Sequence, residues 1–280
     1  MTERRSRFSR TVVVPGTVLT ERDAALILAC YRHQWLTRQQ LQLLFGMGVT
    51  RINQRLRQLY DSRFLDRLRA GTVGVGMQPV YVAAEAAVPL LSRSTDLPEA
   101  QIREHLREDA RASAVLLPHD LQVNDVRIAL TRAIDGHPGL RLDLWLNTRE
   151  SYDAFAPGRV LRPDGYFRFW QGDVLFSFYL EVDRGTCNLP RWEAKVERYQ
   201  EYREDGHYTA RHGLSRFRVL VAAPSAARLE NLRAATAKVV SRSFWFALTG
   251  ELGAIAGVAA PIWLPLSGTA PRPLIESSGE

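Results

Sequence analysis

Apolar positions follow a helical period early in the chain and a strand period later. Thr20 is placed to cap a helix over TERDAALILACYRHQW, with Asp23 as the acid of a capping box. Thr37 is placed to cap a second helix, RQQLQLLF. After GMGV, Thr50 starts a third, TRINQRLRQLYDSRF, whose Ile52, Leu56 and Leu59 form one apolar stripe. FLDRLR and PVYVAAE read as short strands joined by the Gly-rich AGTVGVGMQ, a wing. The pattern predicts a winged helix-turn-helix over residues 20–95, preceded by a flexible basic arm at 1–19. A charged segment at 96–112, EAQIREHLREDARAS with its flanks, reads as a linker helix, so the domain boundary is expected near 95–112.

The second half begins with a helix, PHDLQVNDVRIALTRAI, then a strand, LRLDLWLNT, and a loop, RESYDAFAPGRV. Two extended runs follow, RPDGYFRFW and DVLFSFYLEVD, separated by Gln171-Gly172 and able to pair as a hairpin. Next come the helix PRWEAKVERYQEYRE, the strand FRVLVAA, the helix SAARLENLRAATAKVV and the strand SFWFAL. The order predicts an α/β layer with a mixed central sheet over 113–265. The Ser-, Gly- and Pro-rich tail, 266–280, is expected to be disordered.

Charge sharpens the picture of the first half. The chain carries a net charge of +7 with a pI near 9.8, which favours a polyanionic partner. Residues 1–70 hold 13 arginines against five acids, which leaves the other 210 residues one charge below neutral. On the third helix, the polar face opposite the apolar stripe offers Arg51, Asn53, Gln54, Arg57 and Gln58 to phosphates and base edges of double-stranded DNA. A solvated face in a helical bundle, or a protein-binding winged helix, would carry similar residues. Arg4, Arg5, Arg7 and Arg10 in the arm fit either a disordered tail or a contact to phosphate. Winged helices also pair, so a homodimer is an open alternative that no heptad pattern specifies. Two distant cysteines, Cys30 and Cys187, no secretory leader and no uninterrupted apolar span lead to the expectation of a cytoplasmic protein.

The candidate chemistry lies in the hairpin. Glu181 and Asp183 alternate onto one strand face, and Asp164 can lie opposite them. Converging carboxylates need a cation, and oxygen ligands of this kind suit Mg2+ or Mn2+, with Asp164, Glu181 and Asp183 as the metal set. Lys195, one of only two lysines among 37 basic residues, follows on the next helix with Tyr199 four residues on, on the same face. The alternatives are plain: Asp164 as a turn residue before Gly165, Asp183 and Arg184 as a local ion pair, and Lys195 on a solvated face with Glu193 and Glu197. His119, Asn124 and Asp125 form a second group, either capping a helix start or reaching the carboxylates. Zinc-ligand spacing, a Walker loop and a nucleophile elbow are all missing.

The order helix, three strands, helix, strand resembles the core of the PD-(D/E)xK nuclease fold. Pro163-Asp164 matches the first half of that motif. Glu181-Val182-Asp183 stands where Glu-x-Lys is usual, with Lys195 placed to supply the lysine from the helix. Over roughly residues 20–222 the chain resembles the replication-relaxation family. The resemblance rests on the winged helix, His119…Asn124-Asp125-Val126-Arg127, Arg162-Pro163-Asp164, Glu181-Val182-Asp183-Arg184-Gly185 and Lys195…Tyr199. It implies an α+β protein, a winged helix-turn-helix followed by a restriction-endonuclease-like domain. It also implies a DNA-directed role on a bacterial plasmid or integrative element, with replication or mobilisation proteins as partners. In its strong form the second domain nicks or cleaves DNA, with Asp164, Glu181, Asp183 and Lys195 as catalytic residues. In the alternative, that domain is a scaffold for DNA or a partner protein.

Overall fold

The structure is a computed structural model that describes residues 9–10, 18–69, 79–111, 117–252 and 257–275. Its contacts divide the chain into two units, Met1–Asn124 and Asp125–Glu280.

In the first unit, α1 (Glu21–Arg32) starts at Thr20, whose hydroxyl accepts from the Asp23 N–H while the Asp23 carboxylate accepts from the Thr20 N–H at 2.8 Å. Thr37 and Gln40 form a second capping box at α2 (Arg38–Phe45), which ends at Gly46 with φ of 60°, a conformation glycine adopts freely. The third helix, α3 (Val49–Asp61), begins one residue before Thr50, with Gly48 as an N-cap that offers no side chain. Its stripe of Ile52, Leu56, Leu59 and Tyr60 is buried. Asp23 is wholly buried and also receives Arg55 of α3, so one carboxylate joins the start of α1 to α3.

A three-stranded sheet completes this layer: β1 (Leu36–Thr37), β2 (Leu65–Arg69) and β3 (Pro79–Ala83), antiparallel in the order β1-β3-β2. Three helices and a small antiparallel sheet thus make up the described part of this layer. The wing loop and most of the basic arm lie outside the described residues. Arg10 of the arm is anchored: it hydrogen-bonds the Tyr60 carbonyl, pairs with Asp66 and lies 4.1 Å from the Tyr60 ring centre.

The expected linker helix behaves differently. After α4 (Val88–Thr95), α5 (Glu99–Ala110) buries Ile102, Leu106 and Asp109 against the first unit. Asp109 accepts from the Gln34 side chain at 3.0 Å, and its carbonyl accepts from the Trp35 indole. Apolar residues four apart, hidden in a charge-rich segment, make α5 a packed element. The division between units accordingly falls within α6 (Leu117–Asp135) instead of near 95–112.

The second unit is built on a six-stranded mixed sheet, β11-β10-β9-β8-β7-β4. The strands β4 (Leu140–Asn147), β7 (Gly165–Gln171) and β8 (Val174–Val182) form an antiparallel meander. Gln171 pairs with Val174, so the turn is Gly172-Asp173, one residue later than expected, with Gly172 at φ 55°. Parallel β9 (Arg218–Ala223) and β10 (Phe244–Leu248) follow, and antiparallel β11 (Leu264–Pro265) closes the edge.

The segment expected as a loop contains α7 (Thr148–Ser151) and a small hairpin of β5 (Asp153–Ala156) and β6 (Arg159–Leu161). On one sheet face α8 (Leu189–Glu204), α9 (His207–His212) and α10 (Ala226–Ala237) enclose a core with Trp192, Tyr199, Tyr202 and Phe244. Phe167, Phe169 and Phe178 on the other face are buried as well. The helix, three-strand, helix, strand order is the one expected from the sequence, so the α+β class holds. The tail is ordered through residue 275: Leu266, Leu274 and Ile275 are buried, and the Leu274 N–H donates to the Val258 carbonyl. Its few apolar residues find a surface that composition alone does not reveal.

Two predictions follow from this architecture. Asp23→Ala removes a cap and strands the Arg55 charge, and should lower the unfolding free energy by about 2–4 kcal/mol in denaturant titrations. His212 stacks 4.3 Å from Tyr166 and hydrogen-bonds the Tyr179 hydroxyl. Burial, then the charges of Arg211 and Arg168, push it down to about 4 from its ordinary 6.5. The unfolded chain therefore takes up a proton that the folded chain refuses. The contribution is full above pH 6.5 and is lost as pH falls toward 4. Relative to His212→Gln, the wild type should lose about 1–2 kcal/mol across that window. A difference that stays constant with pH would refute this.

Candidate functional site

The site forms where β7 and β8 come together at one end of the sheet. Gly165 pairs with Leu180, so the next step of the register places Asp164 opposite Glu181. Side chains of directly opposed residues share a face, which brings the two carboxylates together. The Asp164 N–H donates to the Leu180 carbonyl, and its Oδ2 accepts from the Val182 N–H at 2.7 Å. Asp164 is half-buried, and Glu181 is 3% exposed.

The helix supplies the partners of Glu181. Asn188 caps α8, its side chain accepting from the Arg191 N–H, and that fixes the phase of the helix. Lys195 and Tyr199, four residues apart, then face β8. The Lys195 ammonium pairs with Glu181 Oε2, and the Tyr199 hydroxyl donates to Oε1 at 2.6 Å. Tyr199 is fully buried, while Lys195 keeps part of its side chain open to solvent.

The electrostatics follow from burial. Desolvation pushes Glu181 up to about 7, the charge of Asp164 adds to the rise, and Lys195 and Tyr199 oppose it. Burial works to lower Lys195, but the charges of Glu181 and Asp164 outweigh it and hold it above its ordinary value. Burial and the Glu181 charge raise Tyr199 well above the usual phenol range, so it stays a donor.

Asp183 departs from expectation. It lies past the end of β8, where its N–H donates to the Ala222 carbonyl. Its carboxylate is held by Arg228 of α10 at 2.7 and 2.9 Å and by the Gly185 N–H. Arg228 reaches it because Ser225 caps α10, and the same guanidinium also donates to the Cys187 carbonyl. Asp183 is therefore a buried, bidentately paired carboxylate that fastens the loop after β8 to α10. The three-carboxylate metal set is not assembled: no group of three or more His, Cys, Asp or Glu among the described residues is arranged to hold a metal ion. The partner of Asp183 is Arg228, not Arg184.

The second group of residues also disperses. Asn124 is buried in the first unit, where its amide donates to the His33 and Trp35 carbonyls and its oxygen meets His33 Nδ1 at 3.0 Å. It ties α6 to the end of α1. His119 is half-buried near the start of α6, and Asp125 is exposed on it.

On α3, Arg51, Asn53 and Gln54 are exposed. Arg57 and Gln58 are engaged internally: Arg57 pairs with Asp61 at 2.8 Å and donates to the Ser9 carbonyl, and Gln58 accepts from Arg55. The outward polar face is therefore shorter than the sequence predicts, because its last turn is used to hold α3 and the arm.

No helix among the described residues is long and apolar enough to cross a membrane. Two solved structures of the restriction endonuclease FokI are similar to the chain. One matches at 16% identity with a TM-score of 0.33, and the other, bound to DNA, at 15% with 0.28. Each covers 86% of this chain and 45% of the FokI chain, so the protein spans less than half the length of FokI. Comparison with curated proteins gives no match. The family model described as "Replication-relaxation" matches residues 29–216, from within α1 to just before β9 and more than half of the chain. The protein belongs to the replication-relaxation family.

Proposed function

We propose that this is a DNA-directed protein in which the first unit binds duplex DNA and the second hydrolyses phosphodiester bonds with a divalent metal. The observation that carries the reading is the convergence of Asp164, Glu181 and Lys195 at one end of the sheet. Two adjacent carboxylates are hard oxygen donors, and Mg2+ or Mn2+ is ordinarily held by one or two carboxylates together with substrate phosphate. Asp164 and Glu181 would hold the ion, which polarises a phosphoryl oxygen and lowers the pKa of bound water. The chain's own groups do the rest. Lys195 has side-chain surface open to solvent, so its ammonium can also reach an incoming phosphate and stabilise the charge that builds on it. Tyr199 fixes the Glu181 carboxylate by donating to the oxygen that Lys195 leaves free. The DNA of this reading is that of a bacterial plasmid or integrative element, in its replication or mobilisation, with the proteins of those processes as partners.

A second reading, a non-catalytic adaptor, is favoured by the completeness of the cluster. Both Glu181 oxygens are satisfied, Asp183 is neutralised by Arg228, and Asp164 accepts a backbone N–H. Such a network also suits a purely structural role.

The readings part in a plasmid nicking assay with Mg2+ or Mn2+. Cleavage should vanish in Asp164→Ala/Glu181→Ala and fall about 100–1,000-fold in Lys195→Gln, with duplex affinity kept. No cleavage, with manganese affinity absent by calorimetry, would establish the adaptor reading. Asp183→Asn should lower thermal stability yet retain cleavage; loss of cleavage in a folded Asp183→Asn protein would return that residue to the metal site. For the first unit, Arg51→Ala should weaken duplex binding and reduce the salt slope by about one, with Arg51 as a phosphate contact. Unchanged affinity at two salt concentrations would remove α3 from the interface.

A further inference from the structure

The second unit contains a cavity of about 1180 Å³ at the other end of β8, where β9 and β10 begin. Arg203, Arg216, Arg218, Arg242 and Arg272 line it, and among the described residues no Asp, Glu or Lys does. Residues 71–280 together are close to neutral, so this is a local concentration of charge and not a reflection of composition. Among the described residues, Arg216, Arg242 and Arg272 enter no ion pair with a carboxylate. Arg203 is more telling. Its Nη2 is buried without a hydrogen-bond partner, and its Nη1 reaches the Gln200 oxygen only at 3.4 Å. Burial, and then the nearby charge of Arg242, depresses its pKa. Its guanidinium lies 4.5 Å from the Phe217 ring centre; like charges left unbalanced are costly, and an anion in the cavity would relieve them.

Aromatic surface lies among these charges. Phe176 and Trp245 line the cavity, and both are half-buried. The Arg218 guanidinium lies 4.6 Å from the Trp245 ring centre, a stacked pair on which a further planar group can extend. Cationic walls with interspersed rings are the two components of a single-strand groove: the charges follow the backbone and the rings take the bases. A duplex buries its base faces in its own stack and cannot offer them to rings inside a cavity. The volume exceeds the roughly 300–1,000 Å³ of a pocket for one small ligand, which favours a run of nucleotides over a single one.

We infer that this arginine-lined cavity binds a segment of single-stranded nucleic acid, with Arg203, Arg216, Arg242 and Arg272 on the phosphates and Trp245 stacking on a base. The site shares no residue with α3 or with the Glu181 cluster and requires neither duplex binding nor cleavage. Duplex affinity lost through Arg51 and single-strand affinity lost through the cavity are independent observations.

The test is fluorescence anisotropy of a labelled oligothymidylate with the full chain, repeated with a blunt duplex and with ATP and pyrophosphate as competitors. In Arg216→Gln/Arg242→Gln/Arg272→Gln, single-strand affinity should fall by about one to two orders of magnitude, and the salt slope by roughly two, with duplex affinity unchanged. Wild-type tryptophan emission should be quenched by the oligonucleotide, and Trp245→Phe should remove that quench while leaving the fold intact. Unaltered oligonucleotide affinity in the folded triple variant overturns the inference. An equal loss toward duplex and single strand overturns it too, since that is unspecific attraction. So does a loss confined to ATP or pyrophosphate, which would make the cavity a small-phosphate site. Should the triple variant not fold, a quench that survives in Trp245→Phe is sufficient to reject the inference.

Discussion

A carboxylate buried at the end of a central strand has to be neutralised, and the second unit is arranged around that requirement. Glu181 sits in the wall of the core, where a bare charge would be costly. Lys195 and Tyr199 meet it only because α8 packs across β8 with a particular phase, and that phase is set by the Asn188 cap and by Trp192 bonding to Thr236 of α10. Capping, helix packing and site geometry are thus one constraint. With its carboxyl pushed up to about 7, Glu181 sits near the balance between charged and neutral forms, so a cation arriving beside it changes its protonation as well as its partners.

The neighbouring carboxylate has a different history. Asp183 is as hidden as Glu181, yet its charge is taken by a guanidinium held on two sides. Two acids two positions apart thereby acquire separate duties, one fastening a loop to a helix and one joining β8 to Lys195 and Tyr199 of α8. In the first unit the same economy applies to Asp23, which caps α1 and anchors Arg55 with one side chain. The basic residues of α3 divide likewise: Arg55 and Arg57 hold the unit together, and Arg51 is exposed.

Much of this was legible in the sequence where the cause is local. Thr20 with Asp23, and Thr37, announce helix starts; alternation along GYFRFW and VLFSFYLEV announces strands; and the spacing of Lys195 and Tyr199 announces a shared face. What escaped depends on distant partners. Nothing near Asp183 signals Arg228, 45 residues on, and Asn124 could not be matched with His33, 91 residues back. The short elements escaped for another reason. With only two to six residues, β1, β5, β6 and α9 are too brief to show a period, and they form because the surrounding packing supplies what their own sequence does not. Arg203 of α8 and the other arginines of the cavity come from four separate places in the chain, so their convergence is a product of the tertiary fold.

The closing strand, β11, has an implication for how the chain is made. It is two residues long, ends in Pro265, and among the described residues pairs only with β10. A proline offers no N–H for a further strand, so this edge ends the sheet instead of extending it. Until residue 265 has been synthesised, however, the outer side of β10, with Phe244 and Phe246 nearby, has no cover. A chain broken off before that point would carry a nearly complete sheet with one open edge, a species prone to joining its own kind. Residues 264 and 265 thus act as a guard against self-association out of proportion to their length.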